Sequence, residues 1–160
     1  IPTFPPPPLL TPDAIQVERW KEYQTELAKL VLSDSGAIFP FYEDALCEWD
    51  ILGRSNQNVY VWAICGTYNS AGEKPAVIHL EEDGSIRDVK VVFHTSSSSW
   101  ESKIQELFPE KVQEKIYMYY SSPFSGRPLD MRMHLGYRQE HLEELPLIVL
   151  SAMLTATPTP

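Results

Sequence analysis

Apolar residues recur at helical spacing early in the chain. Ile15, Trp20, Tyr23, Leu27, Leu30 and Val31 fall on one face of a segment running to about Leu32. This predicts a long amphipathic helix that needs a partner surface. Thr11 suits its N-cap, Pro12 its first turn and Asp13 the positive end of its dipole, while "SDSG" stops it. The period then changes from helical to alternating. "ALCEWDIL", "NVYVWAICGTY", "PAVIHL" and "IRDVKVVF" read as strands, and the links "GRSNQ", "NSAGEK" and "EEDGS" are short and rich in turn formers. An antiparallel meander is the natural expectation. Ser98 and Glu101 then form a capping box that opens a helix through Phe108, and Pro109 fits the first turn of a second, "PEKVQEKIYMYY". After Tyr120, "SSPFSGRPLD" reads as loop, "HLGYRQEHLEEL" as a short helix and "PLIVLSA" as a candidate strand. No internal repeat is present.

Turn residues fix the strand registers. Centring the first hairpin on Asn56 sets Cys47 opposite Cys65, Trp49 opposite Ala63 and Ile51 opposite Val61. A turn at Ala71–Gly72 sets Cys65 opposite Ile78, and one at Asp83–Gly84 sets Ile78 opposite Val89 and Ala76 opposite Val91. All three place Cys47, Trp49, Ile51, Val61, Ala63, Cys65, Ala76, Ile78, Val89 and Val91 on one face, the expected seat of the long helix. Directly opposed cysteines in antiparallel strands lie close enough for a disulfide. A catalytic dithiol would sit in a tight loop, and zinc needs four clustered ligands, so a structural disulfide is preferred over either, with two buried free thiols as the plain alternative.

The opposite face carries the candidate chemistry: Glu48 and Asp50 on the first strand, Tyr60, Trp62 and Ile64 on the second, His79 on the third with Asp88 opposite, and Lys90 on the fourth. These registers put Trp62 between Asp50 and Glu81, and Ile64 between Glu48 and His79. Three readings follow. The C-terminal helices could cover this face and make a second core. Exposed, its aromatics and carboxylates would suit a sugar ring or a cationic peptide, with Trp62, Tyr60, Glu48, Asp50 and His79 as contact residues. In a cleft, Glu48 and Asp50 would serve as acid and base, with His79 oriented by Asp88. His134 and His141, seven apart, would share a helix face, but no ligand spacing pins a metal there.

Composition narrows the classes. Of 160 residues, 43% are hydrophobic and 22% charged, values of an ordinary globular body. Thirteen Lys and Arg stand against 22 Asp and Glu, a net charge of −9, which disfavours nucleic acid and anionic membranes as partners. The most apolar run, "LPLIVLSAML", is too short to span a bilayer. No nucleophile elbow, phosphate loop, metal-binding helix or nucleotide fingerprint occurs, so no cofactor or metal is expected. The ends differ from the middle: "IPTFPPPPLLTP" is Pro-rich and "TATPTP" has a stalk-like composition. The expected organisation is a linker over 1–11, one α+β domain over 12–154 and a tail over 155–160. With no initiator Met, Ile1 reads as the start of a processed or trimmed chain. Disulfide and stalks together point to an extracellular or cell-envelope location.

A long helix followed by a four-stranded meander resembles the cystatin and NTF2 group of folds over roughly residues 11 to 93. The resemblance is one of topology. No cystatin-type Gln-x-Val-x-Gly loop is present, and the likeness carries no activity. The expected function is an extracytoplasmic binding or protein-interaction domain of unknown ligand, peptide or carbohydrate, held by flexible ends. The alternatives are a secreted hydrolase using Glu48, Asp50 and the His79–Asp88 pair, and an assembly subunit with the aromatic face as its oligomer interface.

Overall fold

The computed structural model describes residues 19–33, 44–68, 70–93, 99–123 and 125–149. The Pro-rich and Thr/Pro-rich ends, the expected helix start at Thr11 to Asp13 with Ile15, and the Ser98 cap lie outside them. Helix α1 (Trp20–Val31) is followed by strands β1 (Leu46–Ser55), β2 (Asn58–Gly66), β3 (Ala71–Leu80) and β4 (Ile86–Val91). Helices α2 (Ser99–Leu107), α3 (Glu110–Ser121) and α4 (Arg127–Glu140) come next, then a short strand β5 (Ile148–Val149). The sheet order is β4-β3-β2-β1-β5. The first four strands form the expected antiparallel meander, and β5 adds to the outer edge of β1 in parallel, pairing Ile148 with Trp49 and Val149 with Asp50. The fold is α+β, with a mixed sheet rather than a purely antiparallel one.

Each face of the sheet is a core. On one, Tyr23, Leu27, Ala28 and Val31 of α1 pack onto Cys47, Trp49, Ile51, Val61, Ala63, Cys65, Ala76 and Ile78, with Val89 and Val91 at the margin. Fully buried aliphatic side chains such as Leu27 and Val31 each contribute about 1.5–3 kcal/mol here. Lys74 crosses beneath the C-terminus of α1, where its Nζ donates to the Val31 carbonyl at 3.0 Å. A cation so placed also answers the helix dipole. On the other face, Ile104 of α2 with Phe108 just after it, Val112 and Ile116 of α3, and Met131 and Leu135 of α4 pack together. They enclose Leu52, Tyr60, Trp62, Ile64 and Val77. The far edge strand β4 exposes Arg87, Asp88 and Lys90, charges that discourage pairing with another chain.

Two registers hold as expected and one does not. Cys47 faces Cys65, and their sulfurs are bonded across a Cα separation of 4.1 Å. The β1–β2 turn has only two central residues, Asn56 and Gln57, and a bulge at Leu52 brings the pairing back to Ile51–Val61. Val89 faces Ile78, and Asp88 faces His79. The β2–β3 pairing is displaced by six residues: Cys65 faces Gly72, Trp62 faces Pro75 and Ile64 faces Glu73. The loop closes earlier, with the Thr67 N–H donating to the Ser70 carbonyl at 2.7 Å, so "AGEK" is strand rather than turn. At Gly72 β3 passes close to α1, and a Cβ there would lie 3.2 Å from the Val31 carbonyl oxygen, a tight contact. A displacement of six is even, so every side chain keeps its face.

Helix α4 begins seven residues before the expected start at His134. Arg127 and Pro128 open it behind Gly126, whose φ is 66°, and Asp130 stands in its first turn. Proline at the start of a helix forfeits no hydrogen bond, which makes "GRPLD" a helix opening rather than a loop.

Candidate functional site

The sequence-predicted contact residues lie on the face that α2, α3 and α4 cover. Trp62 is 1% exposed and Tyr60 5%, so neither offers a flat surface to a ligand. The Trp62 ring meets Tyr119 and Tyr120 edge-on, at centroid distances of 5.4 and 5.1 Å. The Tyr60 hydroxyl lies 2.8 Å from Ser55 Oγ. His79 is partly buried, 2.7 Å from Asn58 Oδ1 through Nδ1 and 3.7 Å from Asp88 through Nε2. It pairs opposite Asn58 whereas Glu48 pairs opposite Ile64, six residues and about 20 Å away along β2. The sheet therefore does not bring His79 to the two carboxylates.

Glu48 and Asp50 are both fully buried and have different partners. Glu48 Oε1 faces His134 Nδ1 at 3.0 Å and accepts from Arg138 Nη1 at 3.2 Å, while its Oε2 accepts the Leu147 N–H. Burial pushes the Glu48 carboxyl above the usual range, against the hydrogen bond to His134, the charges of Arg138 and His134, and the Leu147 amide. Arg138 is itself 1% exposed and fully engaged. It also donates to the Cys47 carbonyl at 2.8 Å, to Gln24 Oε1 at 3.1 Å and to the Glu144 carbonyl at 3.2 Å. Gln24 Oε1 accepts the Cys47 N–H at 3.0 Å as well. On the outer edge of β1, where β5 does not reach Cys47, this network takes the place of strand pairing and ties α1, α4 and the β5 approach to one point. All three guanidinium nitrogens of Arg138 have partners, and among the described residues the cluster reaches the surface only where His134 Nε2 lies 3.8 Å from the partly exposed Glu144.

Asp50 leads outward instead. It accepts a hydrogen bond from the Tyr119 hydroxyl, and its charge acts on Lys115, whose Nζ donates to the bulged Leu52 carbonyl at 3.2 Å. Burial draws the Lys115 ammonium below the usual lysine range; Asp50 opposes this and Lys111 reinforces it. Lys115 and Tyr119, four apart on α3, together form the inner wall of a half-open groove between α3 and the start of α4. The groove has a volume of about 450 Å³, and Met118, the Ser121–Ser122 turn, Ser125 and the Gly126–Pro128 helix start complete its lining. This volume lies within the range of small-molecule sites.

Neither α3 nor α4 was singled out by motif, yet each carried a signal. His134 and Arg138 interrupt the buried stripe of Met131 and Leu135, and Lys115 and Tyr119 flank Ile116 on the buried side of α3. Polar residues four apart beside an apolar stripe mark a polar contact in the interior or at its margin. His134 and His141 do not join at a metal. They stack on either side of Tyr137, at 6.1 and 4.0 Å. Among the described residues no three His, Cys, Asp or Glu side chains converge as a metal would require, and no helix is long and apolar enough to cross a membrane. Comparison with protein-family models, curated proteins and solved structures returns no match to this chain.

Proposed function

We propose that the chain is an extracytoplasmic binding domain whose contact site is the groove between α3 and α4 rather than the Trp62 face. One observation carries the reading: the groove is an opening on the surface that leads, through Tyr119 and Lys115, to the buried Asp50. Pockets with apolar walls and a few convergent polar groups are the usual form of a small-molecule site. The Cys47–Cys65 disulfide supports an oxidising compartment. The hydrolase reading loses its support, since Glu48 is sealed beneath Arg138 and His134, and His79 lies far along the sheet. Amide NMR of the full chain titrated with a fragment library tests the proposal. Shifts should gather between Lys115 and Pro128 and be lost in Met118→Asp, which places a charge in the groove wall. Binders that map elsewhere, or none at millimolar concentration, would overturn it.

A further inference from the structure

We infer that this groove takes a small neutral aromatic molecule, its ring lying against Met118, Tyr119 and Pro128. The inference rests on the reading of the groove as the contact site and adds the class of ligand. By residue type the lining looks polar, with Lys115, Tyr119, Ser121, Ser122, Ser125 and Arg127 among its described residues. The surface it presents is nonetheless mostly apolar. The reason is that its polar atoms are largely given to the protein already.

Those atoms can be followed to their partners. Lys115 Nζ donates to the Leu52 carbonyl at 3.2 Å and is balanced by the buried Asp50, which also accepts from the Tyr119 hydroxyl. Ser121 Oγ and Ser125 Oγ donate to the Met118 and Ser122 carbonyls, at 3.0 and 3.4 Å, so their hydroxyl protons are turned to the backbone. The Ser122 N–H donates to the Met118 carbonyl at 3.0 Å. At the start of α4, Pro128 has no N–H to offer, and the Asp130 N–H donates to the Gly126 carbonyl at 3.1 Å. The Asp130 carboxylate answers the dipole of that helix. Arg127 is half-buried, and a single partly solvated cation contributes about 0–1 kcal/mol, which salt screens. A charged ligand would shed water against an apolar wall and gain little in return. What remains is an apolar slot open on one side. Met118 is 64% exposed, surface that a ligand would take out of water. Its thioether favours a ring over an alkyl chain, since sulfur–aromatic contacts add about 0.3–1.5 kcal/mol. The Tyr119 ring is held in place edge-on by Trp62 at 5.4 Å, so this wall is set before a ligand arrives. A flat molecule also lies more fully within a half-open slot than a rounded one.

The test is a titration of the full chain at pH 7 with 2-naphthol, 2-naphthoate, 2-naphthylmethylamine and decahydro-2-naphthol, read from amide shifts between Lys115 and Pro128. Naphthol should bind at least tenfold more tightly than the anion or the amine, and severalfold more tightly than its saturated analogue. Met118→Ala, a change at an exposed position, should weaken naphthol at least threefold. Raising salt from about 0.1 M to about 1 M, which cuts the screening length from about 10 Å to about 3 Å, should not weaken naphthol. If the anion or the amine matches naphthol, the neutral assignment is overturned while the groove stands as a contact site. If the saturated analogue matches it, the aromatic assignment is overturned. If none of the four shifts these amides while other fragments do, the ligand class alone is wrong. Silence from both sets would remove the groove itself.

Discussion

Glu48 shows how far a residue's surroundings in the fold can differ from those its strand pattern suggests: it is fully buried among His134, Arg138 and the Leu147 amide. Its carboxylate, its neighbour Asp50 and a nearby histidine had the composition of an active site, but the histidine that reaches it is His134, from a helix some 86 positions later. Pairing registers between strands can be worked out from turns; which helix residue descends onto a strand cannot, because it depends on packing angles that no local pattern encodes. The buried Arg138 is the residue whose loss should matter most. Arg138→Met would take one donor each from Glu48 and Gln24, and the Arg138 bond from the Cys47 carbonyl, and should cost about 3–5 kcal/mol in urea unfolding. Glu48 also gives a pH dependence of known sign. In the unfolded chain it loses its proton near 4.5, and in the folded protein at a higher pH. Between those values the folded state holds more protons, so stability falls as pH rises through that window. Glu48→Gln removes this term, and the stability of the parent relative to the variant should decline from pH 4 upward. A difference that stays flat or grows with pH would show that Arg138 and His134 outweigh burial.

At the scale of elements, face assignment was readable and boundaries were not. Alternation put all ten expected positions on the α1 side of the sheet, even though the β2–β3 register was displaced by six residues, because an even displacement preserves faces. Three features account for what was missed. "AGEK" has the composition of a turn but continues β3, the bulge at Leu52 is invisible in a pattern of period two, and "GRPLD", which has a loop-like composition, opens a helix. The bulge has a measurable correlate. Gly53 follows it, and a Cβ at that position would lie 2.7 Å from Val112 Cγ2 on α3. Gly53→Ala should destabilise the protein by about 1–3 kcal/mol through overpacking, and Val112→Ala should offset part of that loss in the double variant, as read from a double-mutant cycle. Lys74→Met tests the junction of β3 with α1. Losing the charge-assisted bond to the Val31 carbonyl should cost about 1–2 kcal/mol and raise amide exchange in the last turn of α1.

For the whole molecule, the disulfide was the most legible feature and the groove the least. Two cysteines centred on one turn are a local signal, whereas the groove exists only once α3 and α4 have docked. Cys47→Ala with Cys65→Ala frees a link spanning 18 positions and should lower stability by about 3 kcal/mol, seen as an equal shift in parent protein under reductant. The parallel strand β5 has a consequence for synthesis. Ile148 and Val149 complete an edge laid down about a hundred residues earlier, and His134, Arg138 and Leu147, the partners of Glu48, all arrive in the same late stretch. A nascent chain halted after β4 would hold α1 on one side of its sheet. The other side would show Trp62, Ile64 and Val77 bare, with the Glu48 and Asp50 carboxyls beside an unpaired edge. Such an intermediate is sticky, and it stays so until the β5 segment has emerged, on the order of seconds later at ordinary synthesis rates, so this face is open to other chains during that interval rather than in the mature fold.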